Sequence, residues 1–226
     1  MPEKRAGADD RDNSVLRVEL FSDAVFAIAM TLLVVELHPP TLNDLGQDPM
    51  KLGHWLYEHA RTYVAFFISF FIIALQWVDH HGMFIFIKRC DRGLVWRNLL
   101  FLLCIAFLPF PTALMGQYPL LRVTLMLYSA VIAISIAAKL LLWTYPMGKV
   151  DLVVLEFPRD YFRRMIRVEL CALAGVLVLM LIAVRYQKAA ADLWALLGAG
   201  LVIVKVRDTP GPTAEKSGVT DGNENA

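Results

Sequence analysis

The sequence predicts an all-α membrane protein with six transmembrane helices, and three observations carry that prediction. Of its 226 residues, 58% are hydrophobic and only 19% charged, more apolar than a soluble domain of this size needs for its core. The apolar residues fall in runs that match a hydrocarbon core about 30 Å thick, which roughly 20 residues of helix cross. Lysine and arginine crowd into every second connection between those runs, the asymmetry that orients helices in a bilayer.

The first span runs from Val15 to Leu37 and interrupts its apolar run with Ser22, Asp23 and Thr31. Ala60 to Val78 forms the second, ending in QWVDHH. Leu94 to Leu114 is the clearest by charge, because no Asp, Glu, Lys, Arg or His lies between Asn98 and Leu121; Pro109 and Pro111 break or kink it. The fourth span covers Leu121 to Trp143, with Lys139 near its inner end and able to snorkel. The fifth covers Ile166 to Val184, preceded by an amphipathic basic segment, 149–167, expected to lie along the membrane surface. A sixth, Trp194 to Val206, is the shortest and returns the polar tail to the starting side. The domain plan is therefore a polar amino terminus (1–14), a six-helix membrane domain (15–206) and a disordered tail (207–226).

With the amino terminus inside, the inner segments carry Lys4, Arg5, Arg11, Arg17, Lys88, Arg89, Arg92, Arg97, Lys149, Arg159, Arg163, Arg164, Arg167, Lys205, Arg207 and Lys216. The outer ones carry only Lys51, Arg61, Arg122, Arg185 and Lys188. Both termini are expected in the cytoplasm. The first fourteen residues hold no apolar core of a signal peptide, so the first span is expected to direct insertion. A net charge of +1 gives no basic field for nucleic acid. Cys90, Cys104 and Cys171 sit apart, and His80 and His81 are adjacent rather than four residues apart, so neither a disulfide framework nor a metal site is expected.

A carboxylate in a membrane helix costs several kcal/mol unless paired or hydrated, so Asp23 needs partners at its own depth. Trp77, His80 and His81 end the second span, and Arg97 and Asn98 open the third, all in the same inner third. The expected network joins Arg17, Phe21, Ser22 and Asp23 of the first helix to Trp77, His81 and Asn98, with Arg17 or Arg97 supplying positive charge. At 100° per residue, Phe21, Ala24, Ile28, Thr31, Leu32 and Val35 share one face, while Ser22 and Asp23 lie about 120° and 140° to either side of Ile28. One side of the helix is thus anchored and the other is free. The bland reading of Thr31 is a bond back to the Ala27 carbonyl. The same residues also allow a secondary transporter with a proton relay of Asp23 and His80 or His81, a membrane enzyme built on Asp79, His80 and His81, or a scaffold subunit.

The stretch R17-V-E-L-F21-S22-D23 resembles the R-x-x-x-F-S-D signature of the transmembrane protein 175 family of potassium channels. The similarity continues through FSDAVFAIAMTLL, through QWVDHH, and through N98-L-L followed by LPFPT. It covers residues 15 to about 115, and the later half only through the six-span hydropathy. The resemblance implies a pore lined by first helices with no TVGYG-like filter loop, assembled as a homotetramer in the plasma membrane as in prokaryotic members. It implies Ile28 as the narrow hydrophobic constriction, Thr31 as a polar selectivity ring one turn further out, and Leu32 and Val35 as further pore positions. Potassium, with a modest preference over sodium, is the expected permeant ion, and no cofactor is implied.

Overall fold

The computed structural model describes residues 13–41, 49–153 and 159–186, with residues 193, 194 and 196. All but the last two residues of the expected polar amino terminus, most of the sixth span, and the tail lie outside the described residues. Among the described residues seven α-helices follow one another: α1 Asn13–Val35, α2 Pro49–Glu58, α3 Ala60–Phe84, α4 Arg92–Phe107, α5 Pro109–Gln117, α6 Arg122–Met147 and α7 Arg159–Arg185, with a 3-10 turn at Val150–Leu152 before α7. By length and composition α1, α3, α4 with α5, α6 and α7 can each cross a membrane. Among the described residues, extended pairing is limited to one antiparallel bridge between Ile87 and Val153.

The proline pair accounts for the break in the third span. Pro109 has no N–H to give and its ring displaces the preceding turn, so α4 ends at Phe107. The same proline then serves as a pre-set first residue of α5. The hydroxyl of Thr112 donates to the Leu108 carbonyl at this junction (2.9 Å). Where α5 crosses α3, Thr62 donates to the Gly116 carbonyl (3.1 Å). A Cβ on Gly116 would stand 2.9 Å from the Thr62 methyl, so the crossing needs glycine.

The bundle centres on α6, which packs against α4, α5 and α7, while α1 lies across α3 and α4. Phe26, Ile73, Phe84, Phe101, Leu125 and Leu142 are fully buried among these helices. Polar cross-links sit in the apolar interior: Thr112 accepts from Ser69 (2.8 Å), Ser69 in turn bonds Tyr128 (2.9 Å), and Gln76 donates to Ser135 (3.1 Å). Bonds of this kind between membrane helices contribute on average about 0.6 kcal/mol each.

Two expectations are corrected. Residues 159–167 do not form a surface linker; they are the first turns of α7, which runs unbroken from Arg159 to Arg185. The cause is Phe162, which is buried against Phe86 and Trp143 and draws the basic segment into the helix that follows. Lys139 does not snorkel. It is 1% exposed, and its ammonium lies 3.0 Å from Asp79 and 2.8 Å from Glu169, so ion pairs inside the bundle replace the trip to the surface. Helix α2 was not anticipated, because its ten residues mix charge and apolar character in the loop beyond the first span.

A clasp closes the basic end of α4 and α6. Asp91 caps α4 by accepting from the Leu94 N–H (2.8 Å), and its other oxygen accepts from the Tyr145 hydroxyl (2.6 Å) and the Lys149 ammonium (2.7 Å). The guanidinium of Arg97 lies over the Tyr145 ring (3.9 Å). Gly93 leaves room for that ring, since a Cβ there would collide with it. Partial burial pushes the Asp91 carboxyl up, but the bonds from Lys149, Tyr145 and Leu94 outweigh it and hold the group at about 2. A carboxyl depressed below its unfolded value of about 3.9 stabilises the fold above that value, and the contribution is lost as pH falls through the folded one. The difference in thermal midpoint between wild type and Asp91→Asn is therefore expected to be constant from pH 7 to about 5 and to shrink toward about pH 2. Paired melting curves across that range check it.

Candidate functional site: an anchored helix with one uncovered face

Helix α1 has two distinct sides. Val15, Glu19, Ser22, Phe26, Ala29 and Leu33 are buried at helical spacing against α3 and α4. Opposite them, Arg17, Phe21, Ala24, Ile28, Thr31, Leu32 and Val35 are exposed, Ile28 by 58% and Val35 by 68%. Among the described residues nothing covers this run, which leaves an apolar face along α1.

The anchored side is held by two hydrogen-bond chains. The Trp77 indole N–H donates to Asp23 Oδ1 at 2.8 Å, joining α3 to α1. In the second chain, Ser22 Oγ donates to the Val18 carbonyl (2.7 Å) and so must accept from Asn98 Nδ2 (2.9 Å). That fixes the Asn98 amide, whose Oδ1 accepts from His80 Nε2 at 2.8 Å. The direction of donation runs from α3 through α4 to α1 without a conflict, which requires a proton on His80 Nε2. The imidazole is walled in by Phe26, Phe84 and Phe101.

Of the residues expected in this network, Ser22, Asp23, Trp77 and Asn98 are brought together. The imidazole that reaches Asn98 is His80 and not His81, which instead stacks on Trp77 and lies 3.5 Å from Glu19. Adjacent residues point about 100° apart on a helix, so only one of the pair can face α4. Arg17 and Phe21 are not in the network; they stand within about 20° of Ile28 in helical phase, on the uncovered face. Arg97 turns away to the Gly93 carbonyl and Tyr145. Asp23 accepts from the Trp77 indole rather than from the imidazole of His80 or His81.

Thr31 donates its hydroxyl proton to the Ile28 carbonyl (2.8 Å), one residue nearer than the Ala27 bond considered from the sequence. With the proton committed to the backbone, the oxygen lone pairs remain on the exposed side. The uncovered face thus presents, in order from the basic end, a bulky apolar side chain at Ile28, an acceptor oxygen at Thr31, and apolar side chains at Leu32 and Val35. Such an arrangement can narrow and dewet a passage at one level and coordinate a cation at the next.

The ion cluster of Asp79, Lys139 and Glu169 was missed from the sequence, although a signal existed. Asp79 ends the second span, Lys139 nears the end of the fourth and Glu169 opens the fifth, three ionisable groups at one depth. Among the described residues no group of three His, Cys, Asp or Glu side chains can hold a metal ion.

Residues 17–109 match the family described as endosomal/lysosomal potassium channel TMEM175. A potassium channel of Streptomyces collinus is 42% identical over 102 residues, covering 45% of this chain and 48% of that protein. One from Chamaesiphon minutus is 39% identical over 127 residues, covering 53% of this chain and 60% of that protein. The matched stretch therefore spans only about half of each of these relatives. In three dimensions, the crystal structure of a lysosomal potassium-selective channel TMEM175 homolog from Chamaesiphon minutus superposes with a TM-score of 0.73 at 26% identity, over 86% of this chain and 98% of that one. The similarity to TMEM175 proteins is thus one of sequence through the first half, where the anchored helix lies, and of fold over most of the length.

Proposed function

We propose that this chain, which carries the TMEM175 signature on the TMEM175 fold, is a potassium-permeable channel whose pore is walled by α1 helices from four copies. The observation that carries the reading is the two-sidedness of α1: one side bonded into its own bundle through Ser22 and Asp23, the other apolar and uncovered. Copies arranged about an axis would cover that face with one another and leave a central passage along it. Ile28 would form the constriction and Thr31 a ring of oxygens, with Leu32 and Val35 continuing the wall. Ions would pass down their gradient, and selectivity would arise from the cost of stripping water at a narrow, weakly polar ring. The Lys and Arg distribution supports an orientation with the basic end and both termini on the cytoplasmic side of the cell membrane.

The test is the permeability ratio of potassium to sodium in planar bilayers. Thr31→Val keeps the shape and removes the oxygen, and is expected to lower that ratio severalfold while conduction and oligomeric state persist, since a weakly polar ring supplies on the order of 1 kcal/mol of discrimination. An unchanged ratio would remove Thr31 from the selective step.

A further inference from the structure

We propose that the basic end of the bundle holds the headgroup of an anionic phospholipid, with Arg89 and Arg92 at its centre and the first turns of α7 alongside. This rests on the bundle lying in a membrane and not on conduction. Segments distant in sequence meet at this corner. Ile87 pairs with Val153, the N–H groups of Lys88 and Arg89 donate to the Leu152 carbonyl (2.8 and 3.4 Å), and Phe86 packs edge-on against Phe162 (5.8 Å between centroids). The link between α3 and α4 is thereby fixed beside the start of α7.

Charge at the corner is one-sided. Among the described residues these segments carry Arg89, Arg92, Arg159, Arg163 and Arg167 beside Lys88, Lys149 and Arg164, and of acidic residues Asp91, Asp151 and Asp160. Asp91 is already engaged by Lys149 and Tyr145, and Asp160 lies 3.6 Å from Arg163. Arg89, Arg92, Arg159 and Arg167 are exposed. A planar guanidinium matches a phosphate diester in two-point bonding, and several together repel the ammonium of a zwitterionic headgroup.

The neighbouring surface suits a lipid tail. From Arg92 an exposed stripe climbs the outer side of α4 and α5 through Trp96, Leu100, Leu103, Phe107 and Phe110, with Trp96 exposed by 71%. Steps of three and four residues keep these side chains on one face. Tryptophan favours the boundary between headgroups and hydrocarbon, so Trp96 marks that level, Arg92 stands among the headgroups, and the rest of the stripe runs beside the acyl chain. A soluble phosphate would use only the basic part of this surface.

The experiment places the full-length protein in phosphatidylcholine liposomes doped with brominated-chain phosphatidylglycerol or, at equal mole fraction, brominated-chain phosphatidylcholine. Quenching of Trp96 is read as the component missing in Trp96→Phe. At low mole fraction the anionic lipid is expected to be preferred about thirtyfold, with the two arginines near the surface acting together. The Arg89→Gln/Arg92→Gln double variant should bring the two lipids close to parity, while Arg89→Lys/Arg92→Lys retains most of the preference. Millimolar inorganic phosphate should not relieve the quenching. Equal quenching of wild type by both lipids overturns the proposal, as does relief by inorganic phosphate, which would assign a free-phosphate site. Neither of those tests uses the double variant, so they decide the matter even if it fails to fold.

Discussion

Replacing Lys139 by Met is expected to cost about 3–5 kcal/mol of stability, the range seen when one partner is taken from a buried ion cluster. The ammonium lies between Asp79 and Glu169, at 3.0 and 2.8 Å, with all three side chains almost wholly buried. It also joins three helices, since Asp79 belongs to α3, Lys139 to α6 and Glu169 to α7. Methionine fills similar volume but leaves two carboxylates facing each other in a medium that solvates them poorly. At roughly 2–4 °C per kcal/mol for a chain of this length, the thermal midpoint in detergent should fall by about 10 °C. The triple variant Asp79→Asn/Lys139→Met/Glu169→Gln removes the charges together and should recover most of that loss. A Lys139→Met protein that melts with wild type would mean the cluster does not hold the helices.

The second large effect is expected at Asp23. In Asp23→Ala the Trp77 indole N–H loses its acceptor, and leaving such a donor unsatisfied costs about 1–3 kcal/mol. Because that bond ties α1 to α3, the loss should appear as reduced recovery of the assembled form on size exclusion. Asp23→Asn keeps a carbonyl oxygen where Oδ1 stood and should assemble nearly as wild type and conduct. If Asp23→Asn assembled normally but carried no ion, the carboxyl would be acting as a proton carrier and the transporter reading would take precedence.

The anchored helix was legible because polar groups in apolar spans are expensive, so each one advertises a partner. Ser22, Asp23, Trp77 and Asn98 could be matched by depth alone. Rotation was legible only where several residues agreed: the Ile28 face of α1 follows from six positions, whereas the choice between His80 and His81 rests on one residue step and on how α3 turns against α4. Hydropathy also could not separate a snorkelling lysine from a paired one, since Lys139 near a helix end fits both. Hydropathy starts the fifth span at Ile166 because the first turns of α7 are rich in arginine, and the burial of Phe162 that draws them into the helix is a tertiary effect.

The most direct measurement is potassium flux through purified protein in liposomes, comparing wild type with Ile28→Asn. If α1 lines a gated pore, asparagine replaces the dewetting ring with one that holds water, and flux should rise well above wild type in protein of unchanged oligomeric state. Absence of flux from both proteins, each shown to be a folded oligomer, would contradict the account and leave the similarity to TMEM175 proteins as one of architecture.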